Sequence, residues 1–404
     1  MDRTTLDGLL TRMLQASEDV SDLLFISGKP PLVEIHGRLQ GLPAPEIPGP
    51  SLTPAAIAQL VDLIINGNER LRNDFSTTGS CDCSYAIEHL ARFRVNIFKQ
   101  SGRHAIVMRK LQSEIPTLEK LGLPPVFREI VKEQNGIVLV TGGTGTGKTT
   151  TLAAMLNEMN LNREIHIVTL EDPIEFFHPH QKAAMSQREL GNDFPSFADG
   201  LRAALRQAPK AILVGEIRDR ETLEIAMTAS ETGHIVFSSL HTINAGQTIN
   251  RILGMFSREE EQQLRLRLSG TLRYVISQRL VSKIGGGRLL VTEIMGSSLR
   301  TRETIIYGES ENKSFQEIIE AGCTLGWHTF DQSLVEAYKA GLVTEETAML
   351  SATNKGKMRR DIDQIQKKAG MAGAQEPSGL KLNIPEPIQI PEDDELAPPP
   401  LPKR

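Results

Sequence analysis

Residues 136–152 read Gly-Ile-Val-Leu-Val-Thr-Gly-Gly-Thr-Gly-Thr-Gly-Lys-Thr-Thr-Thr-Leu, a short apolar strand that runs into a glycine-rich turn and then a helical pattern. Within it, Gly142 to Thr149 fits GxxxxGK[ST] in the strand-loop-helix setting that makes this motif specific for phosphate. Glycines let such a loop curl around phosphate oxygens at the positive end of the following helix. The spacing assigns Lys148 to the β- and γ-phosphates and the Thr149 hydroxyl to Mg²⁺. Gly142, Gly143, Thr144, Gly145, Thr146, Gly147, Lys148, Thr149 and Thr150 are therefore the candidate nucleotide contacts, with ATP and Mg²⁺ as the implied ligands. An ordinary glycine turn would need neither the Lys-Thr pair nor the apolar lead-in.

Downstream, short β-branched runs at 137–141, 165–170, 211–214 and 235–240 alternate with helical stretches such as 149–159, 197–207 and 221–231. That alternation predicts a parallel sheet covered on both faces, the three-layer P-loop architecture. Open α/β sheets bind ligands at the C-terminal ends of their strands. Those ends carry Glu171-Asp-Pro-Ile-Glu175, Gly215-Glu-Ile-Arg-Asp219 and His241-Thr242. Acids and a histidine beside one phosphate loop make a nucleotide hydrolysis site with a metal and a base.

Upstream lies a different pattern. Leu6, Leu9, Leu10, Met13 and Leu14 recur at helical spacing, residues 22–39 give two short strands, residues 41–54 hold five prolines, and a helix is expected over 55–71. Residues 84–87 and 91–99 alternate as a hairpin, and Arg109 ends a further strand. In Ala91-Arg-Phe-Arg-Val-Asn-Ile-Phe98 the period of two sets Phe93, Val95 and Ile97 on one face and Arg92, Arg94 and Asn96 on the other. Two readings of that arginine face stand: a solvated strand surface, or arginine fingers that reach a nucleotide bound elsewhere.

The division expected is an α+β domain over 1–112, a proline-bearing connector over 113–125, the ATPase domain over 126–352, and a charged, then proline-rich and disordered tail over 353–404. At 404 residues the chain can hold two or three domains, and its net charge of -5 points to no nucleic-acid or membrane partner. Cys81, Cys83 and Cys323 are too few for a disulfide framework or a four-cysteine zinc site. No apolar run approaches the ~18 to 20 residues of a transmembrane helix.

The four boxes GGTGTGKTTT, VTLEDPIEFFHP, AILVGEIRD and ETGHIVFSSLHT together resemble the secretion ATPase superfamily, whose members drive type IV pili and type II secretion. The ARFRVN stretch, SQREL at 186–190, VISQRLV at 275–281, TEIM at 292–295 and TFDQSLVEAYKAGLVT at 329–344 are similar to its PilT/PilU retraction branch. The resemblance implies a PAS-like N-terminal domain tethered to a RecA-like domain in a hexameric ring. It assigns Glu175 to the acidic box that positions water and metal, Glu216 to the general base, and His241 to γ-phosphate contact. Arg94 and Arg109 match the N-domain arginines that reach a nucleotide at a subunit boundary. The implied setting is cytoplasmic, peripheral to the inner membrane at the pilus base, with a membrane platform protein as partner, a second retraction ATPase as a further candidate partner, and no direct contact with nucleic acid.

Two departures stand out. The family's Asp-Pro-Asp before the third strand is Ala208-Pro209-Lys210, and the retraction signature helix reads RTRETI at 300–305. The second keeps an accessory subunit open beside a retraction motor. An assembly or type II secretion motor is disfavoured by the lack of a paired CxxC zinc site and by the short N-terminal region. Because a disordered tail makes few packed contacts, deleting 370–404 is expected to leave the melting temperature and the ATPase rate nearly unchanged, as thermal denaturation and phosphate release would read.

Overall fold

The computed structural model describes residues 1–370 except 44, 46–48, 89, 112, 113, 312 and 369. The proline-rich part of the expected tail lies outside the described residues.

The first 110 residues form a sheet backed by helices. Helix α1 (Arg3–Gln15) is followed by β1 (Val20–Ile26), β2 (Leu32–Ile35) and β3 (Arg38–Gly41), then α2 (Pro54–Ile65), α3 (Glu69–Thr78), β4 (Ser80–Ile87), β5 (Ala91–Gln100) and β6 (Arg103–Lys110). The six strands lie in the order β3-β2-β1-β6-β5-β4, all antiparallel neighbours. Three strands stand where the sequence suggested two, because His36 and Gly37, both at positive φ, close a tight two-residue turn. The helix expected over 55–71 is two helices: Asn66 and Gly67 are both left-handed and end α2 before Asn68 caps α3. Phe93, Val95 and Ile97 are fully buried against α1 and α2, so the arginine-bearing face of β5 points the other way.

The rest is a three-layer α/β unit. In order come α4 (Val126–Ile130), β7 (Gly136–Thr141), α5 (Lys148–Asn162), β8 (His166–Glu171), β9 (Ala184–Glu189), α6 (Phe197–Ala204), β10 (Ala211–Val214), α7 (Arg220–Glu231), β11 (Ile235–Leu240), α8 (Ala245–Leu253), α9 (Glu261–Thr271), β12 (Leu272–Ser282) and β13 (Arg288–Gly296). The sheet order is β13-β12-β7-β11-β10-β8-β9, parallel except for the edge strand β13. Ile137, Val138, Leu139 and Val140 of β7 are all fully buried, as a central strand covered on both faces requires. Burying each such side chain stabilises the fold by roughly 1.5–3 kcal/mol. The connector is packed rather than free, since Leu118 is buried in this same core.

Beyond the sheet lie α10 (Leu299–Tyr307), α11 (Phe315–Ala321), α12 (Phe330–Lys339), α13 (Glu345–Ser351) and α14 (Lys355–Lys368). The last corrects the boundary placed at 352. Helix α14 buries Met358 and Ile362 in a small core with Phe330, Leu334, Val343 and Ala348, so the chain to 368 belongs to the fold. Its charges hide an i, i+4 apolar pair too short for a periodic signal. Ile362→Ala should therefore cost about 2–5 kcal/mol of unfolding free energy. The exposed control Arg360→Ala should stay within about 0.5 kcal/mol in the same urea titration.

Candidate functional site

Helix α5 begins at the phosphate loop without a side-chain cap, whereas Ser196, Asp219 and Asn244 cap α6, α7 and α8. Gly147 takes the cap position at φ 88, a conformation open to glycine at little strain. An uncapped helix start leaves its first N–H groups for an anion. Gly142 has a separate reason: a Cβ there would stand 2.7 Å from the Gln278 carbonyl, so β12 packs directly against the back of the loop. The Thr141 hydroxyl donates to Ser277 Oγ at 2.9 Å, and the Gln278 amide donates to Thr151 Oγ1 at 2.7 Å. The VISQRLV stretch is thus a supporting strand, a role that its mixed polarity concealed.

Lys148 Nζ donates to the carbonyls of Gly142 and Gly143 at 3.0 and 2.9 Å. Burial pushes its pKa down, against the opposing pull of Glu216 and Glu175. These two carboxylates arrive from the ends of β10 and β8, as the topology requires. Burial raises Glu175, while the Thr149 hydroxyl bond and the charges of Arg94 and Lys148 act in the opposite direction. Glu216 is held low, first by its hydrogen bond from Arg218, and its other oxygen lies 3.6 Å from His241 Nε2. Together with Thr149, the phosphate loop and Glu175 line a cavity of about 580 Å³ that Lys120, Leu121, Leu280, Arg288 and Leu290 complete.

Behind Glu175 is a layer that sequence reading did not identify. Glu171 is buried, accepts from the Thr169 hydroxyl at 2.6 Å and from the Gln187 amide at 3.2 Å, and is pushed up to about 7 by burial. Glu189 accepts from the Ile174 N–H at 3.2 Å and from the Ser84 hydroxyl at 2.8 Å. Glu171 was quotable from the EDPIE box and Glu189 from SQREL, but nothing in either box shows which acid faces the nucleotide.

The structure brings Lys148, Thr149, Glu175, Glu216 and His241 together, with Arg94 close enough to act on Glu175. Arg109 stands opposite Arg94 in the β5–β6 register, yet its Nε donates to Asp22 at 3.0 Å and its side chain is 70% exposed. Lys210 is exposed at the N-terminal end of β10, a strand length of roughly 13 Å from the end that carries Glu216. Its charge faces solvent on the far side of the sheet. The RTRETI helix, α10, buries Thr301, Thr304 and Ile305 and leaves Leu299 and Tyr307 79% and 82% exposed.

Comparison with known proteins agrees with this geometry. PilT of Pseudomonas aeruginosa, a type IV pilus retraction ATPase, is 40% identical over 333 residues, covering 82% of this chain and 94% of that protein. The type IV pilus ATPase PilU of the same organism is 35% identical over 86% of this chain and 88% of its own length. The crystal structure of the pilus retraction motor PilT with bound ADP superposes with a TM-score of 0.77 at 38% identity, covering 88% of this chain and 99% of that one. The model of the type II/IV secretion system protein family matches residues 82–372. The chain belongs to that family, on its PilT/PilU side, and is a P-loop ATPase.

Proposed function

We propose that this chain is the subunit of a hexameric, cytoplasmic ATPase that couples ATP hydrolysis to type IV pilus retraction, and through it to twitching motility and DNA uptake. The observation that carries the reading is 40% identity to PilT over 94% of that protein. The site described above supplies the chemistry. The ring would act on a platform protein at the inner membrane; among the described residues no helix is long and apolar enough to cross a membrane itself.

In the reaction, Lys148 exchanges its two carbonyl partners for the β- and γ-phosphates, a charge-assisted and therefore stronger contact. Mg²⁺ suits the Thr149 hydroxyl and the Glu175 carboxylate, both hard oxygen donors already bonded to each other. Among the described residues no group of three or more His, Cys, Asp or Glu side chains converges as a metal cage. A magnesium ion that also uses phosphate oxygens and water needs only one or two protein donors. Glu216, freed from Arg218, takes the proton of the attacking water as the new P–O bond forms and the bond to the ADP oxygen breaks. His241, beside Glu216, contacts the γ-phosphate. Arg109 completes the site at a subunit boundary, leaving Asp22 to do so, while Arg94 acts on Glu175 within its own chain.

A second reading, an accessory subunit that tunes a partner retraction ATPase, is favoured by the similarity to PilU and by the altered sequence of α10. The two separate in the cell. For a principal retraction motor, deletion of the gene leaves cells piliated but unable to retract, and Lys148→Ala has the same effect. An accessory subunit predicts retraction of unloaded pili at near-normal frequency and a silent Lys148→Ala. Bald deletion cells would reject both in favour of an assembly motor.

In vitro, Lys148→Ala should abolish turnover, and Glu216→Gln should bind ATP yet hydrolyse it at least about 100-fold more slowly, as expected for loss of a general base. Phosphate release and filter binding read the two quantities separately. Mixed rings of Arg109→Ala and Lys148→Ala subunits should regain activity that neither has alone; verified mixed rings without rescue would count against completion of the site between subunits.

A further inference from the structure

The loop that carries Glu175 is anchored by the other half of the molecule. Arg92, on the outward face of β5, donates through Nη1 to the carbonyl of Ile174 at 2.7 Å. Its other terminal nitrogen lies 3.8 Å from Glu189 Oε2, and its guanidinium stacks over the Phe177 ring at 4.2 Å from the centroid. Glu189 itself accepts from the Ile174 N–H at 3.2 Å and from Ser84 of β4 at 2.8 Å. On the far side, the backbone of Glu175 lies close enough to the Glu171 carboxylate to favour its charged form. Ile174, the residue before Glu175, is thus held at both its backbone groups, its carbonyl by Arg92 and its N–H by Glu189.

With both flanking peptide planes fixed, Ile174 has little freedom of backbone rotation, and the plane that leads into Glu175 is set with it. At Arg92 the side chain is 18% exposed and at Glu189 8%, so neither contact is the solvent-screened kind that contributes little. A planar fork suits this task, since one guanidinium can serve a carbonyl, a carboxylate and an aromatic face at once. Arg94, two residues along the same strand, acts on Glu175 by charge. One strand of the N-terminal sheet therefore both charges and aligns the acidic residue of the ATPase site in its own chain.

We propose that Arg92 is a positioning residue for Glu175, a brace through which the N-terminal sheet sets the alignment of the 172–177 loop and hence the rate of hydrolysis. The proposal rests on the assignment of Glu175 to the hydrolysis site. Arg92 lies outside the phosphate-loop cavity and contacts none of the residues that hold the nucleotide's phosphates. Its loss acts on kcat and spares nucleotide binding.

The test is steady-state ATPase kinetics on the full chain, with ATP binding measured in parallel. Arg92→Gln should lower kcat by about 10- to 100-fold, the scale of a misplacement of roughly 1 Å. KM for ATP should stay within about twofold. Added to Glu175→Gln, Arg92→Gln should bring no further loss, because the brace acts only through that residue; a general structural defect would still multiply in. Arg92→Lys, which keeps the charge but lacks the fork, should be several-fold slow in kcat alone, and it carries the test if Arg92→Gln does not fold. Wild-type kcat in Arg92→Lys and Arg92→Gln with a slow Glu175→Gln overturns the brace and leaves Glu175 in place. Wild-type kcat in Glu175→Gln overturns the underlying assignment and the brace together. A parallel rise in KM, or full multiplication of the two losses, assigns Arg92 a structural role and also overturns it.

Discussion

A parallel sheet covered on both faces has one place to present polar chemistry, and the candidate site residues of the ATPase unit obey that constraint. Strands β7, β8, β10 and β11 are buried to their last residues, so backbone pairing uses their N–H and C=O groups and only the C-terminal loops remain free. Lys148, Glu175, Glu216 and His241 come from four such loops, separated by as much as ninety-odd residues in sequence, and reach one another because the strands are neighbours. The same constraint makes the Ala208-Pro209-Lys210 substitution harmless to the site's charge. It falls at the entrance to β10, where Lys210 N–H pairs with the His166 carbonyl and the side chain is solvated.

What could be read from the sequence was whatever carries its own local signal. The phosphate loop has fixed glycine spacing, the buried strands are continuous β-branched runs, and the Phe93, Val95, Ile97 alternation marks one face of β5. Elements whose form depends on a distant partner were not visible. Strand β9 is polar because Ser186, Gln187 and Glu189 bind His166, Glu171 and Ile174 rather than filling a core. Helix α14 has two anchors and a mean composition that reads as a solvated charge run. The arginine face of β5 posed a question with two answers, and the structure divides it: Arg92 is stacked and paired and Arg94 acts through charge, while Arg109 across the pair on β6 is bound to Asp22.

The N-terminal sheet and the ATPase unit meet at the acidic loop, and the contact is polar. Besides the Arg92 and Ser84 bonds, Arg70 of α3 donates to the Gly191 carbonyl at 3.1 Å. Contacts of this kind are specific in direction and weak in aggregate, since their groups exchange water for one another with a net gain of only ~1 kcal/mol each. A hydrophobic seam would lock the two halves. A polar one lets them separate at modest cost while defining the docked position closely, which suits the proposed dependence of the site on where the N-terminal sheet stands.

The charged groups of the site pair with one another, and that sets what the phosphates of a nucleotide must compete with. Lys148 spends its ammonium on the Gly142 and Gly143 carbonyls, and Glu216 is paired with Arg218, with His241 nearby. Both arrangements pair a charge with groups that a triphosphate can outcompete: phosphate oxygens bind the ammonium more strongly than neutral carbonyls do, and they offer Arg218 an anionic alternative to a carboxylate. Glu216 is held low by its pairing with Arg218 and by the charges of His241 and Lys148, and burial alone raises its pKa. A base gains strength as its positive partners leave or are neutralised. With Glu216 as the proposed base, a γ-phosphate that neutralises Lys148 and draws off Arg218 would strengthen it, so the proposed mechanism has the substrate activate its own base.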